Sequence, residues 1–173
     1  GEVRIRVEAT TVNFADILVC QGIYQDRPGV PLTPGTESCG IIQAVGADVS
    51  LAVGTRVAGM TNMKHGGFAE EALIKAGTTL IMPDDLKAAD ATVLYSTFQT
   101  AHVGLFHRCN LEAGGWVLIL GASSGVGAAA VQLAVARGAR VIATAGGAEK
   151  QAHCRSLGAE ITMDSTGEGA ADA

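Results

Sequence analysis

Aromatic side chains are scarce: one Trp, two Tyr and four Phe make up 4% of the 173 residues. Proline and cysteine number four each, and charged residues only 17%. Each shortage excludes something. Cys20, Cys39, Cys109 and Cys154 stand far apart, in no CxxC or Cys/His spacing. A disulfide framework and a structural zinc cluster are therefore not expected, and the pattern suits a reducing, cytoplasmic setting. The 12 Lys and Arg form no run and are outnumbered by 17 Asp and Glu, for a net charge of −5. No nucleic acid or membrane-surface partner is expected from such a balance. No apolar stretch reaches the roughly 18 residues of a membrane span. Against these shortages, 48% hydrophobic residues leave ample material for a core and exclude disorder. The 23 glycines point to tight turns and close backbone approaches.

Two compositions follow one another. Over residues 1–90, short strands are broken by glycine turns. Residues 3–7 (VRIRV) alternate apolar and basic side chains with the period of a strand. Residues 13–20 suit a short helix, with Asn13 as cap and Asp16 as its capping-box partner. Further strands are expected at 40–45, from 54, at 68–74 and at 79–82, which together suggest a small barrel-like β domain. Over residues 91–173 the pattern becomes helix and strand in alternation. Residues 91–110 suit helix. Residues 116–120 (WVLIL) suit a strand buried on both faces, 125–137 a helix, 140–144 (RVIAT) a second strand, 148–157 a helix, and 160–163 a third strand. This is the spacing of a parallel, doubly wound sheet, stopping near its third strand. The chain opens on Gly1 with no leader segment before its first strand, and residues 166–173 are rich in Gly, Ala and Asp. The expectation is a fragment cut at both ends.

The strongest chemical signal is Gly121-Ala-Ser123-Ser124-Gly125-Val126-Gly127, between the WVLIL strand and a helix. Glycines let a backbone approach a pyrophosphate, and the helix start supplies free N–H groups and a positive dipole end. Ser123 and Ser124 add hydroxyls. The glycines stand as GxxxGxG rather than GxGxxG, and a plain strand–helix turn is the alternative. Dinucleotide sites for NAD place an acid at the end of the second strand. Here Thr144-Ala145-Gly146-Gly147 has none, and Lys150 follows. That pattern favours NADPH, with Lys150 as a 2′-phosphate partner; its alternative is a solvated helix lysine.

The ordered set 11–16 (TVNFAD), 21–24 (QGIY), 34–40 (PGTESCG), 66–70 (GGFAE), 121–127 with 131–134 (VQLA), and 143–146 (ATAG) resembles the medium-chain dehydrogenase/reductases, in particular their zinc-free quinone oxidoreductase (zeta-crystallin-like) branch. The resemblance runs over essentially the whole chain. It implies a GroES-like catalytic domain lacking its first strands, then the first half of a Rossmann domain. It also implies a homodimeric full-length parent acting on a quinone or enone. Zinc-using relatives carry Cys, His and Cys where this chain has Asn13, Thr36 and Ser96, so the resemblance implies a metal-free site. Asn13 and Tyr24 are then candidates to polarise the substrate oxygen, the alternatives being a helix cap and a packing aromatic. Asp16 is expected to be structural, and Glu37 to be a buried, paired structural acid. Thr100, in a Thr-Ala helix start, is a cofactor candidate. Ser165 stands where relatives often have a Tyr over the adenosine, and Leu18 where many have a Tyr near the nicotinamide.

The resulting expectation is an NADPH-dependent, zinc-independent reductase of a quinone or α,β-unsaturated carbonyl, with this fragment inactive alone. Three alternatives stay open. One is an enoyl-thioester reductase module of a polyketide synthase. A second is a short-chain dehydrogenase, disfavoured by the roughly 120 residues before the loop and the lack of a following Tyr-x-x-x-Lys. The third is a non-catalytic binding relative.

Overall fold

The alternation of residues 3–7 is realised in β1 (Glu2–Thr10), where Val3 and Ile5 are buried while Arg4 and Arg6 face solvent. A computed structural model describes residues 1–166; the end of the Gly/Ala/Asp-rich tail, 167–173, lies outside the described residues. The chain divides into two compact units, at Ser96/Thr97, where the composition changes near residue 90.

In the first unit β1 pairs antiparallel with β2 (Glu37–Val45), which pairs in turn with β3 (Arg56–Met60). Gly40 opens the apolar run of β2 because β1 runs so close: a Cβ there would lie 2.1 Å from the Arg6 carbonyl oxygen. β4 (Glu71–Lys75) lies on the other side of β1, and the short β5 (Leu80–Ile81) on the far side of β3. Thr61, just past β3, bridges back to Ile74 of β4 and curls the sheet towards a barrel. Val3, Ile5, Ile42, Val57 and Ile74 fill its interior. The strand expected from residue 68 begins only at Glu71, because Gly67 and Phe68 give their N–H groups to the 34–35 segment instead. α1 (Phe14–Cys20) and α2 (Ala88–Ala91) complete the unit.

The expected helix over 91–110 is broken into a short α3 (Gln99–His102) between π-helical turns at Leu94–Phe98 and Val103–Arg108. The second unit then holds β6 (Trp116–Ile119), α4 (Gly125–Ala136), β7 (Arg140–Ala145), α5 (Ala148–Ser156) and β8 (Ile161–Asp164). The strands form a parallel sheet in the order β6-β7-β8. Ala129, Ala130, Val131 and Ala134 of α4 pack with Cys154 of α5 on Ile119, Val141 and Ala143. The small alanines let helix and sheet approach closely.

One expectation is corrected. The WVLIL strand is not buried on both faces: Trp116, Leu118 and Leu120 are 44%, 56% and 73% exposed. Two right-handed crossovers that proceed in the same direction along the sheet put both helices on one face. Val117 and Ile119 take that face, and the opposite one is bare among the described residues. There the Arg140 guanidinium lies 3.8 Å from the Trp116 ring centre.

Candidate functional site

In the first unit, α1 begins where the Asp16 carboxylate turns back to accept from the Asn13 N–H at 2.8 Å. The same buried carboxylate accepts from the N–H groups of Gly35 and Thr36, at 3.1 and 2.9 Å, and so ties the start of α1 to the segment before β2. Asp16 is thus more than the capping partner expected from its spacing. Glu37, also buried, accepts from the Ser96 N–H at 2.7 Å, the Thr11 hydroxyl at 3.1 Å and the Asn13 amide at 3.4 Å. Burial pushes the Glu37 carboxyl above its ordinary range, and those three hydrogen bonds pull the other way.

The Asn13 Nδ2 group also donates to Thr11 Oγ1 and Thr36 Oγ1, at 3.1 and 3.2 Å. Its N–H bonds are therefore directed at three protein acceptors. A flipped amide would turn its oxygen onto the Glu37 carboxylate and repel it. In this structure the Asn13 amide N–H group is turned to Thr11, Thr36 and Glu37.

Asn13, Thr36 and Ser96 do come together around Glu37, as the resemblance implies for a former ligand set. The donor set does not fit zinc. Catalytic zinc takes thiolate, imidazole or carboxylate ligands, whereas here an amide N–H group and two hydroxyl residues surround one carboxylate already holding three donors. None of the histidines contributes to it.

Tyr24 lies elsewhere. It is half-buried and lines a cavity of about 460 Å³ together with Val19, Cys20, Arg27, Val30 and Leu32. Tyr24 and Asn13 do not share that cavity. Its walls are largely apolar, and Gln21, Asp26 and Arg27 join the Tyr24 phenol as polar groups among them.

In the second unit the glycine loop is ordered by its own hydrogen bonds. Gly121 takes φ +61°, and its N–H donates to Thr144 Oγ1. Ser124 caps α4: its Oγ accepts from the Gly127 N–H at 3.2 Å. Ser124 is thereby a helix cap, and Ser123 stands partly exposed beside it. The N–H groups of Gly125 and Val126, at the first two helical positions, have no intrahelical partner.

The two loop glycines differ in kind. A Cβ on Gly127 would lie 2.4 Å from the Gly121 carbonyl oxygen and 2.7 Å from Ala122 Cα, so this glycine serves helix–strand packing. A Cβ on Gly125 would meet only Thr97 Cγ2, at 3.7 Å. Nothing in the unit's own packing demands glycine there. Open space beside free amides at a helix start fits a phosphate group.

Gly146 and Gly147 follow β7, and Gly147 takes φ +80° as α5 begins. Thr166 Cγ2 and Ser165 Oγ close round Gly146, at 2.9 and 3.7 Å from where its Cβ would stand. Lys150 is exposed on α5, and Thr100 is exposed on α3. Sequence reasoning missed Asp164, whose Oδ1 accepts from the Gly147 N–H at 3.2 Å. The two are 17 residues apart and meet only through β7–β8 pairing, so no local pattern reveals them.

Comparison with known proteins bears on the fold and the family. Residues 1–84 match the Alcohol dehydrogenase GroES-like domain, and residues 125–173 match the Zinc-binding dehydrogenase family. The chain is 39% identical over 174 residues to a Quinone oxidoreductase-like protein 2 homolog of Nematostella vectensis, covering 99% of this chain and 47% of that one. It is 43% identical over 159 residues to Erythronolide synthase EryA2 of Saccharopolyspora erythraea, covering 91% of this chain and 4% of the synthase. The quinone oxidoreductase of Thermus thermophilus, solved also in complex with NADPH, superposes with a TM-score of 0.78 at 36% identity, covering 94% of this chain and 50% of that one. The chain spans about half the length of the quinone oxidoreductase relatives it matches. The GroES-like match before the glycine loop sets aside the short-chain dehydrogenase alternative. With an antiparallel GroES-like unit, a parallel Rossmann-type unit and relatives of both kinds in one chain, this protein belongs to the medium-chain dehydrogenase/reductase family, among its quinone oxidoreductase-like members.

Proposed function

We propose that this chain is the substrate-binding unit and first cofactor-binding half of an NADPH-dependent, zinc-independent reductase of quinones or α,β-unsaturated carbonyls. The observation that carries the proposal is Gly125: a glycine that the fold does not need, open to solvent, at a helix start with unbonded amides. Gly121, Ser123, Ser124, Gly125, Val126 and Gly127 would hold the pyrophosphate. Gly146, Lys150 and Ser165 would meet the adenosine end, and Thr100 the nicotinamide end. Bound there, NADPH would supply a hydride.

The chain's own residues do the rest. Tyr24, on the wall of a largely apolar cavity that Asp26 and Arg27 also line, would donate its phenol O–H to a carbonyl oxygen as negative charge develops on it. Asn13 acts through position: it joins Thr11, Thr36 and Glu37 behind α1, the helix that leads to the Tyr24 loop. No step needs a metal, which agrees with a donor set unsuited to zinc. The NADPH complex of the Thermus relative supports the cofactor assignment. In the whole protein we expect a homodimer working in the cytoplasm.

The likeness to polyketide synthases favours a second reading, reduction of an enoyl thioester. The deciding assay follows NADPH oxidation by the whole protein with a p-quinone and with a crotonyl thioester. Turnover of the quinone supports the first reading, and turnover of the thioester alone the second. Oxidation with neither would fit a non-catalytic relative and refute both.

A further inference from the structure

The end of β7 lacks an acid in sequence but acquires one in space. Parallel pairing sets Asp164, the last residue of β8, beside Ala145. From there its Oδ1 accepts from the N–H of Gly147 at 3.2 Å, the N–H of Thr166 at 2.9 Å and the hydroxyl of Thr166 at 2.6 Å. Those bonds, the Thr166 hydroxyl foremost, hold the exposed carboxyl below its ordinary range, so it is charged at neutral pH. Gly147 opens the nine-residue α5, and an N–H at a helix start is a natural phosphate donor. Here a protein carboxylate already occupies it. Glu149 adds a second negative charge in the first turn of α5, beside Lys150.

We propose that Asp164 is a specificity-determining residue of the adenosine end, whose charge opposes the 2′-phosphate that Lys150 favours and so limits the preference for the phosphorylated cofactor. The inference rests on reading residues 121–127 and 146–150 as one dinucleotide site. Asp164 differs from the acid that NAD-specific sites place at the second strand's end. It stands on the third strand, and its Oδ1 is turned inward onto Gly147 and Thr166 rather than offered to a ribose hydroxyl. What reaches the ligand is its charge. A 2′-phosphate near Gly146–Gly147 gains Lys150 and loses part of that gain to Asp164.

The test compares adenosine 2′,5′-bisphosphate with 5′-AMP, which differ only in the 2′-phosphate, as ligands of the full chain. Asp164→Asn keeps an oxygen acceptor for Gly147 and Thr166 and removes the charge. It is expected to tighten the bisphosphate about 3- to 10-fold, the effect of one exposed charge about 3–6 Å away in a water-like dielectric, and to leave 5′-AMP unchanged. Asp164→Ser serves if the first variant does not fold. Asp164→Glu keeps the charge and is expected to retain the original ratio of the two affinities, which a purely structural role would not. An unchanged or smaller ratio in Asp164→Asn overturns this inference alone. Failure of the unmutated chain to bind either nucleotide overturns it together with the reading of the site.

Discussion

Replacing Gly125 and Gly127 separately by alanine distinguishes a glycine kept for a ligand from one kept for the fold. At Gly127 the new Cβ would sit 2.4 Å from the Gly121 carbonyl oxygen and 2.7 Å from Ala122 Cα. Both neighbours are backbone, so α4 must move off the end of β6. Overpacking of this kind costs about 1–3 kcal/mol, and the helix gains at most ~1 kcal/mol from the better helix former. With the contacts this short the upper cost applies, leaving a net loss of about 2 kcal/mol. For a chain of this size that lowers the melting temperature by about 4–8 °C. At Gly125 the nearest atom would be Thr97 Cγ2, at an ordinary 3.7 Å. Gly125→Ala should therefore melt at the original temperature or up to about 4 °C higher. Yet its methyl stands where a pyrophosphate would approach the free amides. Loss of one charge-assisted hydrogen bond there is worth about 1.5–3 kcal/mol, or roughly 10- to 150-fold in NADPH affinity. Melting followed by circular dichroism and NADPH titration by nicotinamide fluorescence measure the two effects. Undiminished NADPH binding by a well-folded Gly125→Ala, or an unshifted melting temperature for Gly127→Ala, would refute the reasoning.

Two other outcomes are expected. Lys150→Ala should weaken NADPH about 2- to 5-fold, the range of an exposed ion pair, and leave NADH unchanged; parallel titrations of the two cofactors check it. Glu37, whose carboxyl is raised by burial, binds its proton in the folded chain at pH values where the unfolded chain has released it. Stability should therefore fall as pH rises from about the ordinary value of 4.5 to the raised one. Urea unfolding across about pH 4–7 should show that decline in the unmutated chain and a flatter profile in Glu37→Gln; identical profiles would remove Glu37 as its source.

Local chemistry was readable from sequence. The alternation of Val3 to Val7, the capping pair Asn13 and Asp16, the glycine loop and the β7 and α5 segments all appear close to where their residues placed them. Each is decided by neighbours a few positions away. What escaped depends on distant partners. Glu37 gathers Thr11, Asn13 and Ser96 across up to 59 residues; its only local sign was a lone acid opening an apolar strand. The bare face of β6 escaped because an apolar run reports that a strand can be buried on both faces, not that both are covered. Asp164 escaped for want of a strand register. The Asn13 amide was readable as a polar candidate, but its direction is set by Thr11, Thr36 and Glu37.

The central claim, a metal-free NADPH site begun by the Gly121–Gly127 loop, is met most directly by calorimetric titration of NADPH and then NADH into the chain after exhaustive dialysis against a chelator. The account predicts saturable binding of one NADPH per chain, tighter than NADH, with no change when zinc is restored. Absence of saturable binding, equal affinity for the two cofactors, or binding that appears only with added zinc would contradict it.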